Sequence, residues 1–350
     1  MKTIRTAKLS GDDLIERYRK DPIGVLEETC PGVEDLVAWL REFFAHPPSD
    51  PPGSSGFPTH PAPEVLSHQP LELCFKGVVG LSGGLDSSVV AGLAVQSLGK
   101  ENVHGLLLPS QPVRGEGPLP DDVRLGLLLA RELGIAHEII SIEPFIEAGG
   151  RIRMGAGEGK GGEGVGAKDE RGKVESSGEV GGGYFSEKIQ MGNLQARARM
   201  IMLYDLAKQV GGVVIGTSNY SEYMTGYFTK HGDGGVDLEP LLPLYKTQVR
   251  KIARELGVPK EIIDRSPTAG LWEGQTDEDE MGISYELLDA ILLGMDLGLG
   301  SDEIIDATGA DEGDIVRVEK LICGSAHKRT PPPAPGPWPS CAIEVTHHAR

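Results

Sequence analysis

The chain has 350 residues, 39% of them hydrophobic, and a formal net charge of −18. That length with that apolar content buries a full core and allows one large domain or two ordinary ones. The acidic balance excludes a general binder of nucleic acid or anionic membrane, which needs clustered Lys and Arg. No apolar run reaches the roughly 18 residues that a membrane span needs.

The start, MKTIRTAKLSGDD, lacks the apolar core of a secretory signal. Cys30, Cys74, Cys323 and Cys341 are scattered without a C-x-x-C pair, and read as reduced, buried thiols of a cytoplasmic protein. Residues 1–46 read as helical, most clearly where Leu36, Val37, Leu40, Phe43 and Phe44 form an apolar stripe at helical spacing. Such a stripe is a core face rather than a partner surface. Residues 47–70 hold 8 prolines in 24 positions, too many for a regular element, and read as an extended surface insertion.

From Cys74 the chain alternates: strand 74–81, helix 87–98, strand 103–108, helix 121–133, strand 137–142. Alternation with near-continuous apolar strands predicts an α/β fold, a parallel sheet with helices on both faces. Ligands in such sheets bind outside the carboxyl ends of the strands.

Gly80-Leu81-Ser82-Gly83-Gly84-Leu85-Asp86-Ser87-Ser88 falls at one of these ends, between a strand and a helix. Glycines there let the backbone approach an anion, and the free N–H groups and dipole of the helix start attract it. Ser82, Ser87 and Ser88 add hydroxyl donors. The Asp86 carboxylate would repel phosphate unless a cation lay between, so it reads as a magnesium ligand and the loop as the holder of a metal-bound polyphosphate. No G-x-x-x-x-G-K-[ST] loop occurs in the chain. SGGLDS resembles instead the pyrophosphate loop of the ATP pyrophosphatases, which cleave ATP to AMP and pyrophosphate while activating a carbonyl oxygen as an adenylate.

Residues 155–183 carry 12 glycines in 29 positions, which predicts a flexible, solvated loop. Gly157, Gly159 and Gly162 match G-x-G-x-x-G there without a strand before or a helix after, so no dinucleotide role is assigned to them. A helix is expected over 193–210, presenting Arg197 on one side and Arg199 on another. A fourth strand is expected over 213–217, then a stretch dense in polar groups from Ser218 to Asp237, then a helix from Lys246 to Leu256. The last third reads as helical and acidic, with candidate helices 285–293, 302–307 and 313–322. Gln275 to Glu280, the run QTDEDE, reads as a solvated face. A proline-rich tail, 330–350, closes the chain, and no internal repeat is present.

The blocks GLSGGLDSS (80–88), GNLQARARM (192–200), GTSNYSE (216–222), GYFTKHGDGGVDLEPLLPLYKTQVR (226–250), SPTAGLWEGQTDEDEMGISYELLD (266–289) and the terminal His327-Lys328-Arg329 together resemble the NAD synthetases. These are ATP-dependent ligases that amidate deamido-NAD. The resemblance implies a Rossmann-like ATP pyrophosphatase fold over residues 71–329. It implies that Gly80, Leu81, Ser82, Gly83, Gly84, Leu85, Asp86 and Ser87 cradle ATP, with Asp86 on Mg²⁺. Glu222 would be a second metal ligand, and Thr217, Lys246 and Thr268 would contact ATP, Asp86 and Lys246 being the catalytic pair. Arg197, Lys230, Asp237, His327 and Lys328 would bind deamido-NAD. The chemistry agrees with these residue types, because bringing a carboxylate to the α-phosphate requires Mg²⁺ and a Lys to neutralise charge. Arg197 offers a planar fork and Lys230 a point charge for an anionic dinucleotide.

Family members are homodimers, which the resemblance extends to this chain, with the N-terminal helices and those of the 190s as contacts. About 80 residues precede the pyrophosphate loop, too few for the glutaminase domain of glutamine-dependent relatives. Free ammonia, or a separate ammonia-producing partner, is therefore the expected nitrogen source. Many bacterial relatives carry Asp-His-Ala-Ala-Glu where this chain has Ser218-Asn219-Tyr220-Ser221-Glu222, which resembles the archaeal and glutamine-dependent branches. Two other readings stay open: another ATP pyrophosphatase, acting on a purine nucleotide or a tRNA base, and a nucleotide-binding protein without turnover.

Overall fold

The structure is a computed structural model, and it describes residues 11–45, 75–111, 118–150, 187–272 and 274–331. The expectations for the proline-rich segment 47–70, the glycine-rich segment 155–183 and the tail beyond residue 331 lie outside the described residues.

Four parallel strands make the sheet: β1 (Lys76–Gly80), β2 (Val103–Leu107), β3 (Ala136–Ile139) and β4 (Gly212–Ile215). They lie in the order β3-β2-β1-β4, with Val78 opposite both His104 and Val214. The strands alternate with helices because each strand is a short apolar run bounded by glycine or polar residues, and each helix carries apolar residues on a face. β1 and β2 are joined through α4 (Leu85–Leu98), and β2 and β3 through α5 (Asp121–Leu133). α6 (Glu143–Gly150) and α7 (Glu187–Val210) come before β4, so the chain leaves β3 at one edge of the sheet and returns on the far side of β1.

Side-chain alternation along the strands feeds two layers. Val79, Val103, Leu107 and Ile215 face a core built with α3 (Val33–Ala45), α4, α5 and α9 (Lys246–Glu255). The intervening Val78, Leu106 and Val214 face α6 and α7. The stripe expected on the N-terminal segment is buried in the first layer, with Leu36, Val37, Leu40 and Phe44 fully inside and Phe43 packed against them. The edge strand β3 is exposed along its described length, and His137 and Glu138 on it suit a strand that offers its edge to solvent.

A second core joins α1 (Gly11–Tyr18) and α2 (Pro22–Thr29) to the last third of the chain, through α11 (Asp277–Met281), α12 (Tyr285–Asp296), α13 (Ser301–Thr308) and α14 (Glu312–Ser325). Tyr18 is buried at its centre and donates to Ala290 O at 2.9 Å. The short helices α8 (Tyr220–Thr225) and α10 (Lys260–Ile263) complete the fold. Among the described residues no helix is long and apolar enough to cross a membrane.

Two expectations are corrected. The acidic run 275–280 is not a solvated face throughout, because Gln275 and Asp277 are buried. Thr276 caps α11 by accepting from Asp279 N, which turns the next residue, Asp277, inward. Cys323 is exposed rather than buried, on a helix whose inward face is taken by Ile315 and Val318.

Candidate active site at the carboxyl edge of the sheet

β1 is where chain order reverses: its neighbour on one side is the next strand in sequence, and on the other it is the last. A crevice opens at such a point outside the strand ends. The two segments that leave the sheet there, 81–84 after β1 and 216–219 after β4, carry two of the blocks singled out in the sequence.

The first segment is shaped by glycine. Gly83 has φ +71°, and a Cβ on it would lie 2.4 Å from the carbonyl oxygen of Asp122, so the turn can pass against the start of α5 only without a side chain. Gly84 precedes α4 without a side-chain cap, which leaves the first N–H groups of the helix directed outward. Ser82 Oγ accepts from Gly84 N at 3.3 Å and lies 3.0 Å from Ser87 Oγ. Ser88 Oγ donates to Gly84 O at 2.7 Å. The loop is thus folded on its own hydroxyls, with the helix start free to meet an anion.

Asp86 stands in the first turn of α4, Glu222 in the first turn of α8, and Lys246 opens α9. Lys246 Nζ lies 2.5 Å from Asp86 Oδ2 and 3.0 Å from Glu222 Oε1. Lys246 is 2% exposed. Its backbone is anchored from two other elements: Lys246 N donates to Ser221 Oγ at 3.0 Å, and Thr247 N donates to Asp289 Oδ2 at 2.8 Å. Ser221 Oγ in turn donates to Asp289 Oδ1, so a buried carboxylate on α12 accepts directly from Thr247 N and holds in place the hydroxyl that accepts from Lys246 N.

Tyr285 roofs the cluster. Its ring lies 5.0 Å from Lys246 Nζ, a cation–π contact, and its hydroxyl lies 3.1 Å from Asp277 Oδ2 and 3.4 Å from Glu222 Oε1. Burial opposes the charge on Lys246, yet the carboxylates of Asp86, Glu222 and Asp277 hold its pKa well above the usual lysine value. Burial pushes the Glu222 carboxyl up to about 7, Lys246 drawing it down and Asp86 and Asp277 pushing it further up. Burial likewise raises Asp277, against the pull of Lys246. One ammonium therefore serves three acidic groups, and Asp277 Oδ1 is buried without a hydrogen-bond partner. The cluster is short of positive charge.

Among the described residues no group of three or more His, Cys, Asp or Glu has the arrangement of a metal site. Asp86 and Glu222 form a pair, and two carboxylates completed by substrate phosphates are the usual protein share of a magnesium site. The hard oxygen donors and the orphaned acidic oxygen nearby fit such a cation.

A second group of expected residues forms a chain of cations. Arg197 on α7 donates to Lys230 O at 3.3 Å, and Lys230 Nζ donates to His327 O at 2.6 Å. Lys328 Nζ donates to Gly226 O and Phe228 O, both at 2.6 Å. Arg329 donates to the carbonyls of Tyr223, Met224 and Ile322. Among the described residues none of these four cations has a carboxylate within ion-pair distance, although the protein as a whole is strongly acidic. Cations held by neutral carbonyls keep their charge available for an anion. His231, beside Lys230, takes a left-handed conformation with φ +59°.

The remaining expected residues lie outside these two groups. Asp237 accepts from Val214 N at 2.7 Å and from Tyr204 OH at 3.2 Å, two helical turns along α7 from Arg197. Thr217 sits in the turn after β4, half-buried. Thr268 accepts from Gly270 N at 3.1 Å, next to Pro267, whose carbonyl accepts from Asp277 N. Asn219, which donates to Asp86 Oδ1, and Glu239, which accepts from Ser218 N, join Asp277, Tyr285 and Asp289 around the candidate site, and none of the five was singled out from the sequence. All five stood inside recognised blocks, and the Thr276 cap was a readable signal that Asp277 opens a helix.

Comparison with known proteins shows what the chain is similar to. The family model described as NAD synthase matches residues 67–332. The NH(3)-dependent NAD(+) synthetase of Pyrococcus furiosus is 41% identical over 259 residues, covering 74% of this chain and 87% of that protein. The structure of NMN synthetase from Francisella tularensis matches with a TM-score of 0.61 and 30% identity, over 94% of this chain and 99% of that one. The NH3-dependent NAD synthetase from Campylobacter jejuni, solved in complex with the nitrate ion, matches with a TM-score of 0.53 and 26% identity, over 74% and 88% of the two chains.

Proposed function

The chain belongs to the NAD synthase family, and from that premise we propose that it amidates deamido-NAD to NAD with ATP and ammonia, releasing AMP and pyrophosphate. The observation that carries this reading is the Lys246 ammonium between Asp86 and Glu222 at the carboxyl edge of β1 and β4. It puts a buried cation and two metal-type carboxylates beside a phosphate loop.

In the reaction a carboxylate oxygen of the nicotinic acid attacks the α-phosphorus of ATP, the bond to the β-phosphate oxygen breaks, and pyrophosphate leaves. Ammonia then attacks the acyl carbon, the C–N bond forms, AMP departs and the nitrogen loses a proton to solvent. Both steps gather negative charge, and preorganised cations stabilise it. The loop 80–87 holds the phosphates through backbone N–H groups and serine hydroxyls, and Lys246 neutralises the α-phosphate. Asp86 and Glu222 would hold Mg²⁺, which supplies charge neutralisation at the phosphates when bound. Thr217 and Thr268 contact ATP from the turns they occupy.

The chain of cations at Arg197, Lys230 and Lys328, with His327, supports an anionic dinucleotide as the second substrate, and Asp237 adds an acceptor for one of its hydroxyls. The protein acts as a homodimer, with the N-terminal helices and α7 as contacts, and receives ammonia free or from a separate partner. A cytoplasmic setting suits the half-buried thiol of Cys30 and the exposed one of Cys323. The division into an N-terminal helical segment 1–46 and a catalytic domain 71–329 goes with the same reading.

The likeness to an NMN synthetase favours one second reading, in which the acid amidated is nicotinic acid mononucleotide. Coupled detection of pyrophosphate and amide product, with ATP, Mg²⁺, ammonium and either acid, tests both. Equimolar NAD and pyrophosphate from deamido-NAD is the expected result. Turnover of the mononucleotide with none of the dinucleotide would establish the second reading, and no product from either would sink both.

A further inference from the structure

Asn219 touches both carboxylates of the pair. Its Nδ2 donates to Asp86 Oδ1 at 3.0 Å. Its Oδ1 accepts from Glu222 N at 3.1 Å, and its own N–H reaches Glu222 Oε2 at 3.4 Å. The residue is fully buried, and it caps α8, with Glu222 closing the capping box from the third helical position. The other oxygen of each carboxylate faces Lys246, Oδ2 of Asp86 and Oε1 of Glu222. One side chain therefore fixes the rotation of Asp86 on α4 and the start of the helix that carries Glu222.

We propose that Asn219 is the positioning residue of the Asp86–Glu222 pair: its side-chain amide orients the Asp86 carboxylate and, through the α8 cap, fixes the helix start that carries Glu222, so that the two act as one divalent-cation site with bound nucleotide. The inference rests on the reading of that pair as the metal-binding carboxylates. A carboxylate that accepts one fixed hydrogen bond presents its remaining lone pairs in a set direction, and partners of this kind are worth about tenfold or more in metal affinity. The side-chain amide supplies a donor toward Asp86 and an acceptor toward Glu222 N at once. Ser and Asp supply only the cap.

The test uses the full chain and Mn²⁺ as the probe, titrated by electron paramagnetic resonance in the presence of the α,β-methylene analogue of ATP. Thermal unfolding and KM for deamido-NAD are measured alongside. Asn219→Ser keeps the cap and removes the donor to Asp86. Asn219→Asp keeps the cap and sets a second carboxylate against Asp86. The expected result in Asn219→Ser is an Mn²⁺ affinity about tenfold lower, with unfolding temperature and KM for deamido-NAD close to wild type, and in Asn219→Asp a fall in unfolding temperature without Mn²⁺, from the unpaired buried carboxylate beside Asp86, that added Mn²⁺ restores.

Titrations that superimpose on wild type would overturn the inference. So would an Mn²⁺ loss in Asn219→Ser that follows a fall in its unfolding temperature, since a general loosening of the site would produce it without a positioning role. Asp86→Asn is titrated beside them. If it loses Mn²⁺ while the Asn219 variants do not, the positioning role falls and the metal pair stands. If it binds Mn²⁺ like wild type, the pair is not the cation site and both readings fall.

Discussion

The Lys246 ammonium and the Asp86 carboxylate, 160 residues apart in the chain, meet at 2.5 Å in a place where the lysine is almost wholly buried. Removing one partner of a buried pair leaves uncompensated charge, at a cost of about 3–5 kcal/mol. Lys246→Met is expected to lose stability on that scale and to lose pyrophosphate release. Added Mg²⁺ is expected to raise its unfolding temperature more than that of wild type, because an external cation then has no ammonium to displace. Thermal unfolding of both proteins with and without Mg²⁺ measures this, and equal shifts would contradict it.

Arg197 is exposed, and among the described residues its side chain makes one hydrogen bond, to Lys230 O, so its loss leaves the fold intact. Arg197→Ala is expected to raise KM for deamido-NAD at least about tenfold, the scale of one charge-assisted hydrogen bond, with KM for ATP unchanged. Steady-state kinetics with each substrate varied in turn decides it. An unchanged KM for deamido-NAD would remove Arg197 from that site.

Two glycines of the site separate by what a methyl group would strike. At Gly83 a Cβ meets the backbone oxygen of Asp122 at 2.4 Å in a left-handed conformation, and at Gly216 it meets the end of the Glu239 side chain at 2.3–2.4 Å. Backbone cannot swing away, whereas a carboxyl end can, at the loss of its 3.0 Å bond from Ser218 N. Gly83→Ala is expected to cost about 2–4 kcal/mol and Gly216→Ala about 1 kcal/mol. Denaturant unfolding of the two variants should give that order, and the reverse would mean that the turn after β1 yields.

Burial raises the Asp289 carboxyl to about 6, opposed by its bonds from Ser221 and Thr247. In the unfolded chain the group titrates near its ordinary value, about 3.9. Between those two values the native state binds more protons than the unfolded one, so this group's contribution to stability falls as pH rises through 4 to 6 and is regained on acidification. Relative to Asp289→Asn, wild type is expected to gain roughly 1–3 kcal/mol between pH 7 and pH 4. Unfolding midpoints of both proteins across that range measure it, and a constant difference would show that Asp289 titrates normally.

The chain's alternation of strand and helix, the glycine turn after β1 and the family blocks were legible in the amino-acid sequence, because each is a local pattern. A strand shows as an apolar run, a tight turn as its glycines, and a helix as its period. Asp86, Glu222 and Lys246 were legible as candidates for the same reason, since each stands in a recognisable run.

What only the tertiary structure decided is who meets whom. Asn219 looks like a helix cap in sequence, and its second bond, to Asp86, spans 133 residues. Asp277 looks like one charge in an acidic run, and it is drawn inside by the Tyr285 hydroxyl and the field of Lys246. Asp289 reads as an ordinary carboxylate within an apolar helix, and its partners are the hydroxyl of Ser221 and the opening amide of Thr247. Burial changes a side chain's charge, pKa and hydrogen-bonding role through neighbours that arrive from distant parts of the chain. A local pattern states which groups are present, and the packing of α8, α9 and α12 over the sheet edge sets which of them share one ammonium.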